Sequence, residues 1–443
     1  MKTLAAVLFL ALTATHAACA GTGTPREKRP AFRIPIHGDT ATLSVSGTYR
    51  LRGELQRQYN LKSYATGADE DFLLCRLRLG FDLRIRDRLG AFLQLQDCRI
   101  SGSPFDDKDF KISNPYHDNM DIRQGYLALA LFKEIKFRFG RQQITFGDHR
   151  IFGAGNWGNT GHYVWDAARL IIHNPLLESH FFVGRYIIRD PDRWPNRHMP
   201  GPTAYACYTS IKGIPLNLDL FYILKRDTRG KTKGETGIGD LNSHSFGFRL
   251  DGTKGNCDYA ITFVQQLGNR GGDRIRAHGL ATRLGYTFGL PWHPHLMFGF
   301  VNGSGDNNPH DGTSGTFDGV FGGSDRVLYG WINLFFWSNI REYRTDLVLR
   351  PKKDLRLRGE YHYFTLDEKK DAWYFPGRVQ RRDPAGRSGR ELGHELDMVF
   401  YYDPTSWCHL MGGYCLFFPG EFIRNTGSAP GVQWGFLQTK FYF

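Results

Sequence analysis

Residues 71–86 read Asp-Phe-Leu-Leu-Cys-Arg-Leu-Arg-Leu-Gly-Phe-Asp-Leu-Arg-Ile-Arg, and within them Leu77, Leu79, Phe81, Leu83 and Ile85 alternate with Arg76, Arg78, Asp82, Arg84 and Arg86. A period of two marks a strand, because successive side chains leave a pleated chain on opposite faces. One face is therefore apolar and the other basic. Arginine pointed at hydrocarbon near mid-bilayer costs roughly 2–4 kcal/mol, whereas a polar interior accepts it. The stretch reads as a membrane strand with its leucines toward lipid and its arginines toward a lumen.

Upstream the pattern repeats. Leu43, Val45, Gly47, Tyr49, Leu51, Gly53 and Leu55 interleave with Thr42, Ser44, Ser46, Thr48, Arg50, Arg52, Glu54 and Gln56. Downstream, a turn at Asp87-Arg88 leads into Leu89 to Gln96, and similar runs lie near 122–132, 135–146, 166–173, 179–189, 203–211, 214–225, 243–251, 257–267, 276–288, 294–302, 341–350, 354–366, 392–402, 407–418 and 431–443. Together they predict an all-β, antiparallel transmembrane β-barrel of about 18 strands (range 16–18), an even number as bacterial barrels require. Short links such as Phe132-Lys133-Glu134 and Pro351-Lys352-Lys353-Asp354 alternate with long polar ones at 101–121, 226–242, 303–327 and 367–391, the asymmetry of an outer-membrane barrel. The segment 303–340, Gly-rich and then aromatic from Leu334 to Trp337, is expected to fold over or into the pore. The chain ends in an alternating strand, Leu437 to Phe443, with the aromatic last residue that the barrel-assembly machinery reads in its clients. A soluble β-sandwich can also end in a strand, but Leu437, Phe441 and Phe443 in phase favour the barrel.

Composition fits an embedded sheet with one polar face: 52 Gly, 14% aromatic residues and a mean hydropathy of −0.42. Lys2, the apolar run Leu4 to Leu12 and the small residues Ala17-Ala18-Cys19-Ala20-Gly21 read as a secretory signal peptide over 1–20, cleaved near Ala18 or Ala20. His16 stands where a lipoprotein signal wants a leucine-like residue. Residues 21–39 read as a periplasmic lead-in and 40–443 as the barrel, placed in the bacterial outer membrane. No later run approaches the ~18 apolar residues of a membrane helix. The net charge of +13 raises the question of nucleic acid, yet no recognition helix, finger or aromatic RNA platform is present. Of seven cysteines, Cys75 shares the parity of Leu77 while Cys98 shares that of Gln96, so a bridge between them is disfavoured. The other cysteines stay unassigned.

No catalytic constellation emerges. Ser243-His244-Ser245 and His394-Glu395 are strand neighbours pointing to opposite faces, and no Gly-x-Ser-x-Gly elbow occurs, so the expectation is a protein that is not an enzyme. His293-Pro294-His295 is a weak two-ligand pair, and Asp306 to Gly312 misses the calcium-loop phase, with His310 fifth and Gly312 seventh. Neither a metal nor a cofactor is expected. Parity instead collects an inward set: Arg50, Arg52, Arg76, Arg78, Arg84, Arg138, Arg249, Arg283, Arg344, Arg350, Arg356 and Arg358, with Glu395 and Asp397 among the inward acids. These arginines can either form an anion passage or simply pair with Glu54, Asp82, Asp346, Glu360, Glu395 and Asp397. They outnumber those acids two to one, which favours the passage.

Several local words resemble the alginate-export family of outer-membrane porins. Phe139-Gly140-Arg141-Gln142-Gln143 with Gly147-Asp148 and Trp157, Tyr361-His362-Tyr363-Phe364, Leu392 to Asp397, and Gly412-Gly413-Tyr414 with Phe418-Pro419-Gly420 follow that family's order, as do Tyr49 to Arg52 and Arg76 to Leu79. The resemblance implies an 18-stranded barrel with an electropositive lumen, secreting a polyuronate with the help of periplasmic scaffold partners. Trp407-Cys408, Cys415 and a loop at 303–327 that is Gly-rich rather than strongly acidic depart from it. The expected function is a passive outer-membrane channel for an anionic polysaccharide. A general or uptake porin for small anions is the alternative, and a barrel hydrolase or adhesin stands further off.

Overall fold

The computed structural model describes residues 32–36, 40–59, 69–103, 106–110, 113–153, 155, 157–161, 163–212, 214–322, 326–375 and 377–443. The proposed signal peptide lies outside the described residues. The barrel strands are β1 (Ala41–Arg57), β2 (Asp69–Ile85), β3 (Leu89–Ser101), β4 (Asp118–Ala130), β5 (Ile135–Gln143), β6 (Val164–His173), β7 (Leu177–Tyr186), β8 (Thr203–Ile211), β9 (Asn217–Lys233), β10 (Ile238–Lys254), β11 (Cys257–Arg270), β12 (Asp273–Thr287), β13 (His295–Gly303), β14 (Ile340–Lys352), β15 (Leu355–Thr365), β16 (Glu391–Tyr402), β17 (Cys408–Pro419) and β18 (Val432–Tyr442). Each pairs antiparallel with its sequence neighbours, and β18 returns to β1 with Tyr49 opposite Phe441 and Gly53 opposite Leu437. Closure leaves no barrel strand with an unpaired edge, which hydrocarbon demands. Within the proposed lead-in, Phe32–Pro35 forms a short strand beside Thr42 to Val45.

Burial is inverted relative to a soluble protein. Leu127, Phe139, Leu284, Phe298, Met398 and Leu437 are more than half exposed on the outer face, while Arg52, Gln96, Asp121, Glu342, Glu360, His362 and Glu395 are buried inside. The alternation seen in Arg76 to Ile85 thus sorts lipid from lumen, as the strand period requires.

Short turns gather at the periplasmic end. The long connections 102–117, 144–163, 187–202, 304–339 and 366–390 gather at the other. One expected loop is corrected: 226–242 is mostly strand, because β9 and β10 stay paired from Arg226↔Asn242 to Lys233↔Ile238 across a bulge. Its polar sequence reflects a hairpin that extends beyond the apolar band. The six described cysteines are all free, and Cys75 and Cys98 sit diagonally, opposite Arg99 and Arg76 respectively.

Candidate functional site: the barrel interior

Two long connections fold into the barrel. The first, 144–163, lies against the β1–β4 wall. Arg52 Nη1 donates to Trp157 O at 2.8 Å, Arg50 to Trp157 O at 3.2 Å and Asn159 Oδ1 at 3.0 Å, Arg76 Nη1 to the carbonyls of Gly158 and Asn159 at 3.3 Å, and Arg123 Nη1 to Thr160 O at 3.1 Å. A loop enclosed by a barrel has carbonyls with no ladder partner, and guanidinium forks satisfy several at once. Arg52 also pairs with Glu54 at 2.7 Å and lies 4.3 Å over the Trp157 ring. In the same loop, burial raises the pKa of Asp148, but Arg150, Arg249 and Arg283 outweigh it and hold the carboxyl below its ordinary range.

The second connection, 304–339, docks on β14–β16. Glu395 Oε1 accepts Ile332 N at 2.7 Å, Asp397 Oδ2 accepts Trp331 N at 3.3 Å, Glu360 Oε1 accepts Trp331 Nε1 at 2.9 Å, and Arg344 Nη1 donates to Val327 O at 2.9 Å. Behind these contacts Arg344 and Arg358 each bridge Asp346 and Glu360 at 2.5–2.7 Å. His362 sits 2.7 Å from Glu342, 3.2 Å from Glu360 and 3.3 Å from Asp397. Glu360, His362 and Asp397 bring ligand-type atoms within 4.8 Å of one another. Two guanidiniums already balance Glu360, so the arrangement is read as an anchor for the loop.

The loops meet at the inner face of β18. Trp157 packs edge-on against Trp331 at 5.2 Å and Phe436 at 4.9 Å, and Arg326 lies 4.2 Å over Trp434. The expected inward folding of 303–340 is what the chain does, but it does so together with 144–163, which its sequence does not announce.

The remaining inward arginines divide by partner. Arg249 pairs with Asp251, and at 3.9 Å with Asp219; Arg283 acts electrostatically on Asp258 and Asp148. Arg84 bonds Asp82 at 2.9 Å near the periplasmic turn, Arg356 lies 3.9 Å over Tyr401, and Arg350 sits where its backbone N–H reaches Trp292 O at 2.7 Å. Arg78 donates through Nε to Gln96 at 2.7 Å, while its Nη2 has no partner. Arg138 stands directly across from Arg169 in the β5–β6 register. Arg138 lies 4.4 Å over Tyr126, and Arg169 reaches His180 Nδ1 at 3.0 Å. Among the described residues no carboxylate pairs with either, and both Nε atoms are buried without a partner.

Arg123 and Arg169 escape a parity reading, each for a physical reason: at Arg123 the β3–β4 register shifts between Gln94↔Gln124 and Leu95↔Ile122, which puts it out of phase with Leu127 and Leu129. Val164 to His173 is apolar on both faces, because Trp165 and Ala167 pack inward on loop aromatics such as Phe152 and Phe321. A strand without alternation does not reveal which way Arg169 points.

The sequence family described as alginate export matches residues 41–434. Among solved structures, Pseudomonas aeruginosa OccK9 (OpdG) superposes with a TM-score of 0.62 at 10% identity, covering 90% of this chain and 98% of that one. Pseudomonas aeruginosa OccK8 (OprE) gives 0.60 at 11% identity and Acinetobacter baumannii OccAB2 gives 0.59 at 12%, each with the same coverages of 90% and 98%. These likenesses are to the fold. No curated protein sequence matches the chain. With the family matched along nearly the whole barrel, the chain belongs to the alginate-export family, as a porin-type β-barrel channel of the bacterial outer membrane.

Proposed function

We propose that this barrel is a passive channel for an anionic saccharide, an alginate-like polyuronate secreted outward, with Arg78, Arg138 and Arg169 as its charge filter. The observation that carries the reading is the Arg138–Arg169 juxtaposition. Like charges directly across a ladder are destabilising, so a pair with no carboxylate suits a site that lends its charge to a passing one. Guanidinium offers a planar fork to carboxylate and stays charged, and Tyr126 beside Arg138 adds a flat surface for a sugar ring. Arg50, Arg52, Arg76, Arg344, Arg358, Glu395 and Asp397 act one step back in this reading, shaping the passage by holding the loops. The remaining members of the parity set, Arg84, Arg249, Arg283, Arg350 and Arg356, add to its positive field. The barrel-assembly machinery and a periplasmic secretion scaffold are the partners that such a role calls for. No chemical step is part of it.

The test is a triple variant, Arg78→Gln, Arg138→Gln and Arg169→Gln, in planar bilayers. The anion-to-cation permeability ratio should fall several-fold, and block by uronate oligomers should weaken more at low salt than at high salt. Unchanged selectivity and block would reject the filter. A second reading, uptake of small anions, is favoured by the two connections folded inside the barrel, which meet where Trp157 packs on Trp331. Block by monomeric uronate as strong as block by oligomers would select it.

A further inference from the structure

The outer wall carries a feature that transport does not use. On β5–β9 the lipid-facing residues Ala168 and Cys207 are small, while Phe137, Phe181, Tyr205 and Tyr222 around them are large, and together they form an open groove of about 430 Å³. Val183↔Tyr205 and Phe181↔Cys207 lie in the groove, and two residues further along these strands, on the extracellular side, lies a polar row in which Thr203 pairs with Arg226 and holds Arg185 by its side chain, where the long connection 187–202 joins β7 to β8. Arg185 and Arg226 are thus two strand spacings apart, about 10 Å. Both are exposed, as is His198, whose Nε2 lies 3.5 Å from Arg185. Arg185 Nε is steadied by Thr203 Oγ1 at 2.9 Å. Asp166, opposite Arg185 in register, is committed to Arg141 at 2.9 Å. Among the described residues neither Arg185 nor Arg226 has a carboxylate within ion-pair distance.

We propose that this groove and its arginine row form a binding site for lipopolysaccharide of the outer leaflet, one acyl chain lying in the groove and a phosphate of the lipid A headgroup bridged by Arg185 and Arg226. The chemistry on each side matches. An aromatic-rimmed depression in the apolar band accepts a chain, and two exposed guanidiniums at its extracellular end accept a phosphate by charge-assisted hydrogen bonds. A second copy of the chain fits less well, since it would bring apolar surface to the groove and nothing for the arginines.

The experiment places the purified barrel in phosphatidylcholine nanodiscs, adds rough lipopolysaccharide and counts retained molecules by native mass spectrometry. One lipopolysaccharide should survive per barrel. Arg185→Gln with Arg226→Gln should cut retention about tenfold, and dephosphorylated lipopolysaccharide should bind the unaltered protein as weakly as the intact lipid binds that variant. Arg185→Lys with Arg226→Lys should keep most of the binding, and Ala168→Phe, which fills the groove, should lose it. Heat-modifiable migration on a gel verifies that each variant is folded. Equal retention by the unaltered protein, the double Gln variant and Ala168→Phe would overturn the site. So would a mass of two chains without lipid, which would assign the face to self-association.

Discussion

An arginine inside a barrel serves either the protein or the solute, and its acceptors tell which. Arg52 is spent on Trp157 O, Glu54 and the Trp157 ring, so it belongs to the loop. Hydrogen bonds to a charged group contribute about 1.5–3 kcal/mol. Arg52→Gln should therefore lower the stability of the detergent-folded barrel by that order, read from urea unfolding, while its anion preference changes little. Arg138→Gln with Arg169→Gln should do the reverse. Relief of directly opposed like charges is worth about 0.2–1 kcal/mol, so this variant should be no less stable, and its reversal potential in a salt gradient should shift toward that of a non-selective pore. Loss of stability with unchanged selectivity would make the pair structural. The facing of most of these residues is legible in the sequence, since Arg76 and Arg78 alternate with Leu77 and Leu79. Their partners are not, because Trp157 and Asn159 come from a loop that strand periodicity leaves undescribed.

At the scale of elements, the strands follow from local pattern and the loops from tertiary demand. All eighteen strands form near their expected places, since one-residue errors would turn arginines toward lipid. The exceptions have local causes: the β9–β10 hairpin continues through polar residues once outside the apolar band, and β6 loses alternation where loop aromatics cover its inner face. The inward fold of 304–339 depends on carboxylates of β16 that accept its amides, Glu395 from Ile332 and Asp397 from Trp331. Those contacts join residues 63 and 66 positions apart. If the two loops narrow the passage where Trp157 and Trp331 touch, then Trp157→Ala with Trp331→Ala should raise single-channel conductance at least twofold while leaving the barrel heat-modifiable. Conductance that stayed at the unaltered level would place the narrowest point elsewhere.

The whole molecule depends on its seam. Seventeen of the strand contacts form between sequence neighbours, but β1–β18 joins the first barrel strand to the last, and that pairing is what removes the last sheet edges from lipid. The seam continues past β18: Gly47 N donates to Phe443 O at 2.5 Å, and Phe443 N to Gly47 O at 3.1 Å. The Phe443 ring lies over Gly47, where a Cβ would overlap it. The Phe443 ring thus seats on β1 because residue 47 has no side chain. Gly47→Leu should block this seating, so that less heat-modifiable barrel and more periplasmic protein accumulate, and deletion of Phe441 to Phe443 should have the same effect. Gly53→Ala is the matched control on the same strand, since a Cβ there meets nothing within 4 Å. Its yield should equal that of the unaltered chain. If Gly47→Leu assembled as well as Gly53→Ala, the ring would be a passenger at the seam.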